Sequence, residues 1–220
     1  MANLLTWDQV GEKFYETGLD RGVLYLMSAG VFDNGEAWNG LTAISESPSG
    51  GEPSALWANN RKYLEMMSVE DLALSLDAYT YPDSFALCDG SVEPVAGVAF
   101  RAQERHVFGL SYRTRIGNDE DGDLHGYKLH LVYGCRAAPS DMAHDTVSDD
   151  PEAVTMSWDI TTTPVDATGY QPVAKIEIDS RTADAAKLAA LEVILYGVAD
   201  PEEAVRMPLP DEVITLMTPA

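Results

Sequence analysis

The sequence predicts a mainly β domain: an antiparallel β-sandwich or partial barrel with one flanking α-helix. Three observations predict it. Apolar and polar residues alternate with period two in segment after segment, the mark of strands with one buried face and one wet face. A single segment shows a sustained 3.6-residue period. The length of 220 residues and the 45% hydrophobic share suit one folded β domain spanning residues 1–220.

In chain order, EAWNGLTAI (36–44) reads as a strand and RKYLEMM (61–67) as another. Between them lies SESPSGGEPSALWANN (45–60), rich in Pro, Gly and Ser. Two strands are normally joined by about two to five residues, so 45–60 is expected to be a long projecting loop. It carries Leu56 and Trp57 near its end. Trp57 has two readings: it folds back on its own domain, or it docks on a partner. Further on, DLALSLDAY sets Leu72, Leu74 and Leu76 against Asp71, Ser75 and Asp77. HVFGLSYRT places Phe108, Leu110 and Tyr112 opposite Arg113. GYKLHLVY opposes Tyr127, Leu129, Leu131 and Tyr133 to Lys128 and His130. AVTMSWDITTT and AKIEID alternate in the same way.

The helix is TADAAKLAALEVILYG, with Leu188, Leu191 and Leu195 as its stripe. Thr182 or Ser180 can cap its start and Gly197 its end. Shorter helical signals lie near TWDQVGEKF and YPDSFAL. Pro201, Pro208 and Pro210 make 198–220 a Pro-rich arm, extended through 212 and closing on a short strand, EVITLM.

Charge is the dominant global feature, with 36 acidic residues against 14 basic and a net charge of −22. The excess is spread along the chain: −6 over 1–60, −8 over 61–150 and −8 over 151–220. It therefore coats faces rather than forming a tail. A tight nucleic-acid binder needs the opposite sign, because Lys and Arg supply its affinity by releasing counterions from phosphate. The acid serves solubility, a high-salt setting, or a surface that borders nucleic acid without holding it. No run of eighteen apolar residues is present, so no membrane-spanning helix is expected. The opening MANLLTWDQVGEK lacks a basic n-region and a long apolar run, so no secretory signal is expected. Cys88 and Cys135 fit no metal-ligand spacing and read as buried free thiols of a reducing compartment rather than a disulfide.

The sequence carries no complete motif of a catalytic or metal site. Setting Gly122 of NDEDGD (118–123) at the turn of an EF-hand puts Gly117 at the first ligand and Lys128 at the last, so the segment reads as a hairpin turn. His125 and His130 are five apart on a strand and face opposite sides. GLSYR (109–113) lacks the second glycine of a nucleophile elbow, and there is no phosphate loop and no CxxC. No catalytic residue, cofactor or metal is expected. Arg101, Arg105, Arg113 and Arg115 fall within fifteen residues. They form local ion pairs with Glu104 and nearby acids, or a patch that docks on an acidic patch of another copy. Arg113 and Arg115 are the candidates for the second role.

Six segments have a familiar order: WNGLTAISESPSGGEPSALWANNRKYLEM, AYTYPDSFALCDG, FGLSYRTRIGND, GYKLHLVYG, SWDITTTPVDATGYQP with AKIEIDS, and AAKLAALEVILYG. In that order, followed by PLPDEVI, they resemble the major tail tube proteins of long-tailed (siphovirus) bacteriophages over nearly the whole chain. The resemblance implies a sandwich with a flanking helix, six copies closing into a ring, and inner sheets joined into one barrel. Rings stack into a hollow tube through which double-stranded DNA passes unbound into the host. It further implies a virion location after assembly in the host cytoplasm, without membrane insertion, and partners among the tape measure, tail terminator and distal tail proteins. A long loop reaches into the adjacent ring; 45–60 would be that loop, with Leu56 and Trp57 as its anchors. The polar face of DLALSLDAY, with Asp71 and Asp77, is the candidate lumen lining, since carboxylates repel phosphate.

The nearest alternative is the stacked-ring tube of a contractile tail or a type VI secretion system. A second is an acidic monomeric β-sandwich binding module. Such modules display aromatics on an exposed face, whereas Trp158, Tyr127 and Tyr133 sit on the apolar faces of their strands.

Overall fold

The structure, a computed structural model, describes residues 4–140, 142–144, 146, 153–198 and 204–218. The chain runs β1 (Tyr15–Ser28), β2 (Val31–Ala37), β3 (Leu41–Ser49), β4 (Pro53–Ala58), β5 (Arg61–Met67) and β6 (Asp71–Ala78). A one-turn α1 (Phe85–Cys88) follows, then β7 (Val92–Val95), β8 (Val98–Phe100), β9 (Phe108–Asn118), β10 (Gly122–Ala137), β11 (Met156–Thr161) and β12 (Lys175–Asp179). The chain closes with α2 (Ala185–Tyr196) and α3 (Pro210–Met217). The protein is mainly β, and its strand pairs are antiparallel.

The main strands run in the order β2-β1-β9-β10-β11-β6-β3, with β12 also paired to β10. β10 belongs to two sheets. Its first part pairs with β9 and β12, and its last two residues pair with β11, Arg136 with Thr161 and Ala137 with Ile160. Between them the register slips from Val132 to Cys135, and Gly134 has φ +60°. That bend lets Val132 and Cys135, three apart, face the same core. The chain of strands does not close into a barrel.

Two apolar layers result. Leu24, Phe108, Leu110, Tyr112 and Val132 of the first sheet meet Leu74, Leu76, Trp158 and Ile160 of the second. Phe85 of α1 closes that layer, with ring centroids 4.6 Å from Trp38, 5.1 Å from Trp158 and 5.7 Å from Phe108. On the opposite face of the first sheet, Tyr25, Leu129, Leu131 and Tyr133 pack on Leu188, Leu191 and Leu195 of α2 and Val213 of α3. Two phenols pin this layer: the Tyr25 hydroxyl donates to the Leu195 carbonyl (2.8 Å), and the Tyr133 hydroxyl to the Pro208 carbonyl (2.9 Å).

Several expectations are corrected. β9 and β10 are not half wet over their central stretches; residues 108–112 and 129–135 are buried on both faces, because the helices cover what the second sheet does not. The segment 45–60 is not a structureless loop. β3 continues to Ser49, paired residue by residue with β6, and β4 takes up 53–58. The last segment is a helix, not a strand. Pro210 in its first turn pre-sets φ, Asp211 and Glu212 favour the positive helix start, and Val213, Leu216 and Met217 face the core. The cap of α2 is Asp184, which accepts from the Ala186 and Lys187 amides, rather than Thr182 or Ser180. YPDSFAL supplies α1, but TWDQVGEKF stays non-helical. NDEDGD does form the β9–β10 turn, and Cys88 and Cys135 are buried and free. Pro201 lies outside the described residues.

Gly134 is the test of the bend. A Cβ there would stand 2.1 Å from the Thr163 carbonyl oxygen, and the conformation is strained for any other residue. Gly134→Ala is expected to cost at least about 1–3 kcal/mol, read as a lower urea midpoint.

Candidate functional site

The outer face of the second sheet is built by register. β6 Asp77, Ser75, Ala73 and Asp71 stand opposite β3 Ala43, Ser45, Ser47 and Ser49. On the other side Asp77, Ser75 and Ala73 stand opposite β11 Ser157, Asp159 and Thr161. Alternate residues on these strands, Leu74, Leu76, Trp158 and Ile160, are buried in the core. The outward set is therefore contiguous over three strands. Asp71, Asp77 and Asp159 are its charged groups, and none of its side chains is larger than Thr or Asp. Arg136, opposite Thr161, borders it on the β10 side. Asp71 and Asp77 thus share one face with Ala73 and Ser75, as their spacing predicts. The contributions of β3 and β11 were missed. For β3 the signal was present as alternate small residues in AISESPS, but reading Ser45 onward as loop hid it; the alternation of SWDIT was legible, and only register sets its Ser157 and Asp159 beside β6.

Among the described residues this sheet ends on β3, which pairs only with β6. At its other end β11 is held to β10 by two residue pairs. An unpaired edge is a template for another strand.

β4 and β5 make a separate hairpin whose strands, among the described residues, pair only with each other. Asn59 and Asn60 turn it, with φ of +51° and +59°, the two left-handed positions of a type I′ turn. At its base Gly50, φ +80°, lies where a Cβ would stand 2.2 Å from the Val69 carbonyl oxygen, so the connecting strands cross closely. Leu56 stands opposite Leu64, and Trp57 opposite Lys62. Trp57 is 71% exposed and Tyr63, Leu64, Met66 and Met67 are exposed with it. Trp57 therefore does not fold back on its own core. Further apolar side chains are exposed on the β7–β8 hairpin, Val95 and Phe100, and near the N-terminus, Leu5 and Trp7.

The four arginines do not form one patch. Arg113 meets both oxygens of Asp20 at 2.7 and 3.0 Å and lies over the Tyr127 ring. Arg115 reaches Asp20 and Asp123. Arg101 and Arg105 share Asp89, at 2.9 and 3.5 Å. Local pairing is what the chain uses, with Asp20, Asp89 and Asp123 as the acids rather than Glu104. The Arg113 guanidinium, against the opposing effect of burial, holds the Asp20 carboxyl below its ordinary range.

A second charged network crosses four strands. Glu16, Lys128, Glu177, Lys175 and Glu46 alternate in sign, with contacts of 2.7–3.4 Å. Beneath it His130 is buried, stacked on Tyr112 with ring centroids 4.6 Å apart. Its Nε2 lies 2.9 Å from the Thr114 hydroxyl. Burial, with Lys175 adding to it, pulls the His130 pKa below 6.5 despite the surrounding carboxylates.

Among the described residues, no group of three His, Cys, Asp or Glu side chains is placed to hold a metal ion, and no helix is long and apolar enough to cross a membrane. No protein-family model matches the chain, and no curated protein does either.

Two expectations follow. Trp57→Ala leaves the stability of the isolated chain within about 0.5 kcal/mol, as for other exposed positions; a larger loss in urea unfolding would mean that Trp57 packs on its own domain. His130 gives a pH dependence. Its folded pKa is depressed, so below about pH 6.5 the unfolded chain binds a proton that the folded chain refuses. Stability then falls with pH by up to about 1.4 kcal/mol per unit, until the folded pKa is reached. Glu16, Glu46 and Glu177, each held low, add their loss only at more acidic pH. His130→Gln is expected to flatten the slope between pH 6.5 and 5.5 in urea unfolding.

Proposed function

We propose that the chain is a tube-forming structural protein: a major tail tube subunit of a long-tailed phage, whose stacked hexameric rings enclose the path of the ejected genome. One observation carries the reading. A three-strand face of short side chains and carboxylates lies on a sheet with an open strand edge. A conduit for DNA needs that combination. Short side chains leave the bore clear, carboxylates repel phosphate, and the open edge admits the next subunit's strand. Pairing β3 of one copy beside the β10–β11 end of the next satisfies both ends at once and closes a ring without leaving an edge. Six such sheets form a barrel wide enough to hold water and a duplex, since barrels of roughly 16–18 strands already enclose a channel.

The projecting hairpin supports stacking. Trp57, Tyr63, Leu64, Met66 and Met67 are exposed on it, and each large side chain buried between rings contributes about 1.5–3 kcal/mol. The order of the resembling segments favours the long flexible tail over a contractile tail or a secretion tube, which would share this geometry. In this setting the chain is a virion component that meets the tape measure, terminator and distal tail proteins at the ends of the tube. Against a monomeric binding module, Trp158 and Tyr133 are core residues; the exposed aromatics Trp57 and Tyr63 lie on the β4–β5 hairpin, which the tube reading assigns to stacking.

Negative-stain electron microscopy of the concentrated protein is expected to show rings or tubes; monodisperse monomers would overturn the proposal. In assembled tails, Asp71→Lys with Asp77→Lys places cations all along the bore. DNA release is expected to slow, most strongly at low salt where screening is weak. An unchanged release rate at low ionic strength would remove this face from the lumen.

A further inference from the structure

The hydrogen bonds around His130 fix its tautomer. The Thr114 hydroxyl has one proton and donates it to the Glu16 carboxylate at 2.6 Å. Toward His130 Nε2, 2.9 Å away, the same hydroxyl can therefore only accept. Nε2 carries the ring proton, and Nδ1 is left as an acceptor. Nδ1 is buried, and no described residue donates to it. The group that faces it is also an acceptor: Glu177 Oε2, 3.7 Å away. Two acceptors thus meet with no proton between them.

The charges around the ring are unbalanced in the same sense. Glu16 of β1, Glu46 of β3 and Glu177 of β12 supply three carboxylates, against the two ammonium groups of Lys128 on β10 and Lys175 on β12. From β9, Tyr112 stacks on the ring and donates its phenol to Glu46. With a neutral ring the cluster carries one surplus negative charge.

We infer that His130 is a proton-operated switch in this lattice: a proton taken at Nδ1 draws Glu177 Oε2 onto the ring and away from Lys175, leaving Lys175 to Glu46. The proton comes from solvent, and only hydrogen bonds change. The distances make the exchange local. Glu177 holds Lys128 through Oε1 at 3.0 Å, a contact that the exchange leaves in place. Oε2 has only the longer contact to Lys175, 3.4 Å. Lys175 keeps both Glu46 oxygens, at 2.7 and 2.8 Å. Glu177 is exposed, so its side chain can turn without moving the core.

Two opposed effects set when the switch turns. Burial and Lys175 disfavour a charged ring, while the surplus carboxylate favours one. The proton is therefore taken only below about pH 6.5. Glu16, Glu46 and Glu177 remain ionised there, each held low, despite burial, by its lysine. The lattice spans both sheets, since Glu46 lies on β3 and Lys175 on β12. Protonation commits Lys175 to that bridge and brings the cluster to neutrality.

The test is nuclear magnetic resonance of the full chain with isotope-labelled His and Glu, by magic-angle spinning where the chain has assembled, from about pH 8 to about pH 5. His130→Gln identifies the ring signal by its loss. At the upper end the proton is expected on Nε2 alone. On acidification Nδ1 is expected to protonate while the chain stays folded, and the Glu177 carboxyl signal to move at the same midpoint. Glu177→Gln is expected to shift that midpoint to lower pH. Glu16→Gln, which removes the same charge from the Nε2 side, is expected to shift it less. A proton on Nδ1 at neutral pH overturns the switch, and so does a ring that stays neutral until the chain unfolds. A Glu177 signal that does not follow the ring, or equal shifts from the two Gln variants, overturns it as well.

Discussion

The fold depends on one strand serving two sheets. β10 is central to the first sheet and, past the bend at Gly134, becomes the flank of the second. Everything else is arranged around its two faces. Val132, Cys135 and Ala137 feed the layer between the sheets, while Leu129, Leu131 and Tyr133 feed the layer under the helices. A strand buried on both sides has no solvent face, and His130 shows the consequence. It stacks on Tyr112 and contacts Thr114, and it sits low in its protonation range because burial disfavours its charge. The bend also sets where the acidic face lies, because it sends β11, β6 and β3 across the core from the first sheet.

Much of this was legible in residue spacing. The strands of DLALSLDAY, GYKLHLVY and AKIEID follow from alternation, and α2 from the Leu188, Leu191 and Leu195 stripe. The misreadings have physical causes. Period two reports one buried face, so it is silent where both are covered; β9 reads as half wet although residues 108–112 are all buried. Pro48, Gly50, Gly51 and Pro53 look like one loop. In fact Pro48 sits in the edge strand β3, where a missing amide costs nothing toward solvent, and the glycines shape the crossing at the hairpin base. The Asn59–Asn60 turn was readable from its type, but the surrounding loop signals masked it. EVITLM alternates no better than it coils, and Pro210 with two acids decided for helix. The candidate face was half legible: one strand's pattern gives Asp71 and Asp77, but only register adds Ser45, Ser47, Ser157 and Asp159.

The charge distribution reads differently once the pairs are known. The basic residues are few and most are committed inside the chain, in the Arg113–Asp20 fork and the lattice of Glu16, Lys128, Glu177, Lys175 and Glu46. The surplus acid is left on the outside. It cannot strengthen the fold, since like charges on one body repel. Its effect falls on association: it raises the cost of every contact between copies that does not place a cation against a carboxylate.

That cost matters because this chain displays features that ordinarily promote aggregation. β3 is a nine-residue edge with no lysine on it, and the hairpin carries an exposed Trp and two exposed Met. Soluble proteins usually blunt such edges with Lys, Pro or a covering element. Here Pro48 and Glu46 blunt β3 only in part, and the hairpin is left bare. A long-range repulsion spread over the whole surface does the blunting instead. It is non-specific, so it opposes random collisions in every orientation. It is also weak at short range against a matched apolar and charged contact, so it leaves the correct one available. On the proposed tube reading, an acidic coat with a few cations on the projecting element would separate two requirements that usually conflict: remaining dispersed as single chains, and joining in one geometry when enough copies are present.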